Sequence, residues 1–143
     1  MKVAVLGASG LLGSAVSQSV VRRGHNLYPY SNVSSTIHSG GKLCKALSLE
    51  NDEQLTRELF DQWPDAIVNC AAVSSPDSVN LSPEKAKLVN VHGAHRLATI
   101  ASHIGARFIH ISTDMVFDGK NSPYRSTDVP NPLSEYGKQK LEA

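Results

Sequence analysis

The chain has 143 residues, 41% of them hydrophobic, and a formal net charge of +1, which is one domain's worth of sequence with enough apolar residues for a core. The near-balance of charge excludes a nucleic-acid-binding arm and an acidic tail, and points to a cytoplasmic domain. The apolar run Val3-Ala4-Val5-Leu6 is too short for a signal peptide and no later run reaches membrane-spanning length, so neither nucleic acid nor membrane is an expected partner.

Lys2 to Leu6 reads as a buried strand closed by Gly7. Leu11 to Arg23 reads as a helix with Leu12, Ala15, Val16 and Val20 on one face, and Gly24 stops it. Asn26 to Tyr30 is a short second strand, and the Ser- and Gly-rich stretch from Ser31 to Gly41 is a loop. Leu43 to Leu47 is a third strand. Asp52 to Gln62 is a helix that turns Leu55, Leu59 and Phe60 inward, with Pro64 just beyond it. Ala66 to Ala71 is continuously apolar, as in a sheet covered on both faces. Ser82 and Pro83 have the character of an N-cap and first helical residue, opening a long helix that Gly105 ends after Ile104. Arg107 to Ser112 is a fifth strand, and a last helix opens at Glu135. Strands and helices alternating at this spacing predict parallel strands joined by right-handed crossovers. The fold class expected is α/β, a Rossmann-type doubly wound parallel sheet, with residues 1–143 forming one domain.

Several residue groups carry no site of their own. Cys44 and Cys70 fall in predicted strands and are expected to be reduced, packed thiols. Asn32-Val33-Ser34 and Asn80-Leu81-Ser82 match the glycosylation pattern by chance, and Glu84, Lys85 and Lys87 make a solvated helix face. His92 and His95 are spaced for one helix face, but no third ligand is evident, so no metal is expected.

Gly7-Ala8-Ser9-Gly10-Leu11-Leu12-Gly13 joins the first strand to the first helix. Gly7 permits a tight turn, Gly10 lets the backbone approach a pyrophosphate, and Gly13 lets the helix pack close to the strand. The helix N-terminus then offers free N–H groups and positive potential to phosphate. Gly7, Ser9, Gly10, Leu11, Leu12 and Gly13 are therefore candidate cofactor-binding residues, with Ser31 where the second strand should meet the adenosine ribose. No Asp or Glu lies between Gly7 and Leu49. A carboxylate near Ser31 would select a free 2′-hydroxyl and repel a 2′-phosphate, so its absence leans toward NADP, with NAD as the alternative. No arginine stands at that place, and Lys42 or Arg22 is the candidate cation for the phosphate.

Tyr136-Gly137-Lys138-Gln139-Lys140 places a tyrosine and a lysine one helical turn apart. An adjacent ammonium would stabilise the phenolate and lower a tyrosine pKa that is otherwise near 10. Such a tyrosine can give a proton to a carbonyl oxygen as hydride arrives. Thr113, just past the fifth strand, offers a hydroxyl where catalytic groups gather in open α/β sheets, or else a local backbone bond. Thr113, Tyr136 and Lys140 are the candidate catalytic residues.

With Val68-Asn69-Cys70-Ala71-Ala72, Val89-Asn90-Val91, Ile109-His110-Ile111-Ser112-Thr113-Asp114, Val116-Phe117-Asp118-Gly119 and Pro132-Leu133-Ser134-Glu135-Tyr136-Gly137-Lys138, the chain resembles the extended short-chain dehydrogenases/reductases of the dTDP-4-dehydrorhamnose reductase type. The resemblance runs along essentially the whole chain. It implies that Thr113, Tyr136 and Lys140 form a catalytic triad, that Tyr136 and Lys140 also touch the cofactor, that Cys70, Ala71 and Ala72 line the cofactor, and that Asn90 supports the site. It implies an NADP-dependent reductase of a nucleotide-linked 4-keto-deoxysugar. The alternative within the same subgroup is a non-catalytic NADP-binding regulatory subunit of the methionine adenosyltransferase kind. A nucleotide sugar, a homodimer or a regulatory partner protein are the partners implied. Met115 stands where the subgroup often has tyrosine. The family's two-part architecture implies a protein roughly twice this length. The chain is thus expected to be a front portion without the last strands and substrate-binding region, inactive alone, with an open sheet edge that invites self-association.

Overall fold

The computed structural model describes residues 1–32 and 38–143. The Asn32-Val33-Ser34 motif and the middle of the Ser/Gly loop lie, in whole or in part, outside the described residues. The elements in chain order are β1 (Lys2–Leu6), α1 (Leu11–Arg22), β2 (Asn26–Ser31), β3 (His38–Ser39), β4 (Lys42–Leu43), β5 (Lys45–Ala46), α2 (Asp52–Gln62), β6 (Ala66–Asn69), α3 (Pro76–Leu81), α4 (Pro83–Lys87), a π-helical segment (Leu88–Gly93), α5 (Ala94–Ile104), β7 (Arg107–His110), a 3-10 turn (Asp114–Val116) and α6 (Glu135–Glu142). Five strands form one sheet in the order β5-β2-β1-β6-β7, with every pair parallel. The chain moves outward from β1 through β2 to β5, then returns to β6 on the other side of β1. That reversal makes the crevice between β1 and β6 the topological switch point, where ligands bind in such sheets.

The central strands are apolar on both faces because both faces are covered. Val3 and Val5 pack with Leu27, Ala66, Val68 and Val20 on the α1 side. Their neighbours Ala4, Leu6 and Ile67 pack on the opposite side against Leu55 and Leu59 of α2 and Leu97, Ile100 and Ile104 of α5. The period of two along β1 thus divides the core between two layers. Asn51 caps α2 through a bond from the Gln54 N–H at 3.0 Å, and Gly105, with φ +69, ends α5 in the left-handed conformation that glycine adopts without strain.

The differences from expectation have local causes. In α1 the buried residues are Gly13, Ser17 and Val20, while Leu12 and Ala15 are exposed; the helix is rotated by the close approach of Gly13 to the turn. Phe60 is 38% exposed and sits edge-on against Trp63, because the inward positions of α2 go to Leu55, Glu58 and Leu59. Glu58 is held by the Tyr30 hydroxyl at 3.0 Å and by Lys45. The predicted third strand divides: Lys42–Leu43 pairs antiparallel with His38–Ser39 within the expected loop, and only Lys45–Ala46 joins the main sheet. Cys44 lies buried between these strands and Cys70 just past β6, so neither is a strand residue; both are free, and burial pushes both thiols up. β6 stops at Asn69 and β7 at His110, each shorter than its apolar run. The long helix from Pro83 to Ile104 forms as expected but contains the π-helical segment, and α3 precedes it, opened by Ser75 and Pro76, the same kind of pair as Ser82 and Pro83. Among the described residues, no helix is long and apolar enough to cross a membrane.

Candidate active site

The site is built from the turns that leave β1, β6 and β7. Gly7 has φ +72, and a Cβ on it would lie 2.7 Å from the Ala71 backbone nitrogen. The turns after β1 and β6 therefore meet through Gly7, as only a residue without a side chain allows. A Cβ on Gly13 would lie 2.1 Å from the Gly7 carbonyl oxygen, so glycine also sets how closely α1 packs on its own turn. Gly10 caps α1 without a side-chain hydrogen bond, and the first turn carries no acid. By contrast α2, α3 and α6 are capped by Asn51, Ser75 and Ser134. The N-terminus of α1 is thus left bare beside the switch point, the arrangement that suits an anionic phosphate.

A cavity of about 260 Å³ opens here, bordered by Gly7, Ser9, Gly10, Cys70, Ala71 and Ala72. A second, of about 250 Å³, shares Cys70, Ala71 and Ala72 with the first and runs on to Ser112, Tyr136 and Lys140. The two cavities border the same three residues, one reaching the bare helix end and the other the tyrosine and lysine. Leu12 lines the second cavity, Leu11 is 93% exposed at the helix start, and Gly13 lies buried beneath. Ser31 is buried rather than facing the first cavity, and its carbonyl accepts the Leu47 N–H at 2.9 Å; Asn32 borders that cavity instead. Leu49, Val73 and Val89 also line the first cavity without any signal in the sequence, because membership depends on which turns the sheet order brings together.

Neither candidate cation reaches the end of β2. Arg22 is in the last turn of α1, about 16 Å along the helix from its N-terminus at 1.5 Å per residue. Lys42 Nζ donates to the Leu27 carbonyl at 3.0 Å and lies over the Tyr28 ring. Both expectations are corrected by the direction in which α1 and β2 run.

Tyr136 and Lys140 are brought to the same cavity by α6, whose start is fixed by Ser134 accepting the Gly137 N–H at 3.0 Å. The helix packs tightly on the 3-10 turn, for a Cβ on Gly137 would lie 2.3 Å from the Met115 carbonyl oxygen. Asn90, in the π-helical segment, touches neither cavity. Its Oδ1 accepts the Val73 N–H at 2.8 Å, and its Nδ2 donates to the Val73 carbonyl and to Gln139 Oε1, each at 3.0 Å. Gln139 in turn donates to the Pro83 carbonyl at 3.0 Å. Asn90 thus ties the turn after β6 to the helix that carries Tyr136 and Lys140.

Two details differ from the expected triad. The Thr113 hydroxyl is used locally: it donates to Asp114 Oδ1 and accepts the Met115 N–H, both at 3.2 Å, capping the 3-10 turn. Past the end of β7, Ile111 and Ser112 border the cavity, and Thr113 does not line it. The Tyr136 pKa is raised rather than lowered. Burial pushes the Tyr136 hydroxyl up and the Lys140 ammonium down, and Lys140 Nζ lies 2.9 Å from His110 Nε2.

Burial, the largest cause, and any positive charge on Lys140 and His95 hold the His110 pKa down to about 4. An unfolded histidine protonates near 6.5, so the unfolded chain gains a proton between about pH 6.5 and 4 that the folded chain refuses. Stability is therefore complete above pH 6.5 and falls as pH drops through this window. His110 is only half-buried, and solvent screening limits the loss to about 1–2 kcal/mol. Urea denaturation at pH 7 and pH 4.5 should show that decrease, and His110→Gln should abolish most of the difference.

Among the described residues, no three His, Cys, Asp or Glu side chains gather as a metal site. The family model described as the RmlD substrate binding domain matches residues 1–143. The chain belongs to the RmlD substrate-binding domain family. It is 38% identical over 141 residues to the bovine (Bos taurus) methionine adenosyltransferase 2 subunit beta, covering 99% of this chain and 41% of the relative. A hypothetical dTDP-4-dehydrorhamnose reductase from Sulfolobus tokodaii superposes with a TM-score of 0.85 at 31% identity, over 99% of this chain and 50% of that one. The dTDP-4-dehydrorhamnose reductase of Bacillus anthracis, solved in complex with NADP, gives a TM-score of 0.85 at 27% identity, over 99% and 46%. This RmlD-family chain thus spans about half the length, or less, of the proteins it matches, and its parallel sheet with flanking helices is the Rossmann-type fold expected.

Proposed function

We propose that this chain binds NADP across these two cavities, and that the protein to which it belongs reduces a nucleotide-linked 4-keto-deoxysugar. The observation that carries the proposal is the shared lining: the bare N-terminus of α1 and the Tyr136–Lys140 pair open onto two cavities that both border Cys70, Ala71 and Ala72. An extended dinucleotide would lie across the two cavities, with its phosphates at Gly10 and its reacting ring toward Tyr136. When bound, the dinucleotide supplies the hydride. Tyr136 donates the proton to the substrate oxygen, Lys140 holds the ribose and assists the tyrosine, and Thr113 turns its hydroxyl from Asp114 toward the substrate carbonyl. Ala71, Ala72 and Leu12 narrow the cavities and exclude water. The missing carboxylate at the end of β2, where Ser31 and Asn32 stand, favours NADP over NAD.

The second reading is an NADP-binding regulatory subunit without turnover, cytoplasmic like the first. It is favoured by the likeness to the methionine adenosyltransferase subunit and by the locally occupied Thr113 hydroxyl. Titrating the chain with NADPH and NADH, followed by fluorescence, tests what both readings share. Tighter NADPH binding is expected, and no binding of either would sink both. With binding established, consumption of NADPH by the full-length protein on a dTDP-4-keto-deoxysugar separates them: turnover favours the reductase, and binding without turnover the regulator.

A further inference from the structure

Beside Tyr136 lies a polar chain, Asn69–His110–Lys140, of which the proposed reaction uses only the lysine. Asn69 ends β6 and His110 ends β7, and the two are partners in the parallel ladder. Asn69 Nδ2 is 3.1 Å from His110 Nδ1, and His110 Nε2 is 2.9 Å from Lys140 Nζ. Asn69 Oδ1 accepts the Ala71 N–H at 3.1 Å.

These contacts determine where the protons are. A backbone N–H can only donate, so the atom of Asn69 facing Ala71 is its oxygen, and the NH2 faces the imidazole. That NH2 can only donate, so Nδ1 is an acceptor. A neutral imidazole then carries its proton on Nε2, aimed at Lys140. An ammonium has three donors and no acceptor, and would oppose donor to donor at this contact. A neutral amine has a lone pair and accepts.

We infer that His110 is a positioning residue for Lys140: Asn69 sets its tautomer, and in the ligand-free chain Lys140 is held as a neutral amine accepting from Nε2–H. The surroundings agree. Lys140 and Asn69 are buried, and among the described residues no acidic side chain is ion-paired with Lys140. His95 of α5, whose Nε2 lies 3.2 Å from the Glu142 carbonyl, adds positive rather than negative potential near His110. The Glu142 carboxylate is engaged by Lys87 at 2.8 Å, and Tyr136, on the same helix as Lys140, is a neutral phenol. Burial independently lowers the Lys140 pKa.

The consequence rests on the dinucleotide proposal. A ligand that draws Lys140 off His110 to act as an ammonium must be accompanied by uptake of one proton from water. His110 Nε2–H is freed in the same event, so the lysine is recharged only when the cavity is filled.

Long-range proton–nitrogen NMR on the ligand-free chain reads the His110 tautomer directly. The expected result is a neutral, Nε2-protonated ring at pH 7, with the Lys140 ε-methylene titrating below the other lysines. In Asn69→Asp the new carboxylate accepts from Nδ1–H, so the tautomer should invert and Lys140 should titrate higher. An Nδ1-protonated ring in the unsubstituted chain, or a Lys140 that titrates with the other lysines, overturns the inference. NADPH binding is followed separately by fluorescence, and proton uptake by calorimetry in buffers of different ionisation enthalpy. Absence of binding counts against the dinucleotide proposal and leaves the tautomer result standing. Binding with proton uptake supports the recharging step, and binding without it overturns that step.

Discussion

Gly13→Ala should destabilise the chain by about 3 kcal/mol, as expected when a methyl is forced into closely packed backbone, and should abolish NADPH binding. The added Cβ would stand 2.1 Å from the Gly7 carbonyl oxygen, 2.8 Å from its carbon and 2.9 Å from Ala8 Cα. All three are backbone atoms, so no rotamer change relieves the clash. Either α1 tilts away from β1, uncovering Val20 and the layer it closes, or the turn shifts and loses its approach to Ala71. Gly10→Ala is the instructive contrast. Its Cβ meets only the Gly7 oxygen, at 3.4 Å, and otherwise faces open space. The fold should lose less than about 1 kcal/mol, the glycine-to-alanine scale, while NADPH affinity should fall about tenfold or more if the pyrophosphate lies over this residue, since a 1.4 kcal/mol loss of contact is tenfold. Urea denaturation and fluorescence titration of the two variants together separate packing from binding. Equal destabilisation by both would refute the packing account of Gly13, and unchanged affinity in Gly10→Ala would move the phosphates elsewhere.

Asn90→Ala should cost about 3 kcal/mol, because it leaves the N–H and carbonyl of Val73 and the buried Gln139 Oε1 without their partner, at about 1–3 kcal/mol for each buried group and less for those water can reach. The functional loss should exceed what stability explains. Gln139 lies between Tyr136 and Lys140 on α6, and Asn90 is its link to the turn after β6. Asn90→Asp keeps an acceptor for the Val73 N–H but sets an oxygen against both the Val73 carbonyl and Gln139, so it should be no better than alanine. Hydrogen exchange at Val73 and along α6 should quicken in both variants, with the core amides of β1 and β6 less affected. Uniform quickening would mean that Asn90 only supports the global fold.

Much of the architecture was legible because it rests on local chemistry. Gly7, Gly10 and Gly13 identify the β1–α1 turn because their steric needs are set within the turn itself. Apolar runs at Val3–Leu6 and Ala66–Val68 identify strands covered on both faces, and Pro83 at the first helical position and Gly105 past the last bracket the long helix, although the Ser82 side chain makes no capping bond. The Tyr136–Lys140 spacing needs only one helical turn to put both residues on the same cavity. Phe60 was misplaced because a helical period admits two adjacent faces, and Glu58, paired with Tyr30 and Lys45, took the inward one.

What the sequence by itself determined, then, is the alternation of elements, the phosphate-type turn and the tyrosine–lysine pair, because each depends on neighbours within a few residues. Only the tertiary structure decided that Ser31 is buried and Asn32 borders the first cavity, that Lys42 is engaged by the Leu27 carbonyl and Arg22 sits in the last turn of α1, and that Lys140 meets His110. Those outcomes depend on strand order and on the β6–β7 register, which places Asn69 beside His110. No local pattern encodes such a meeting, because it joins residues 41 positions apart and a third residue 30 positions further on.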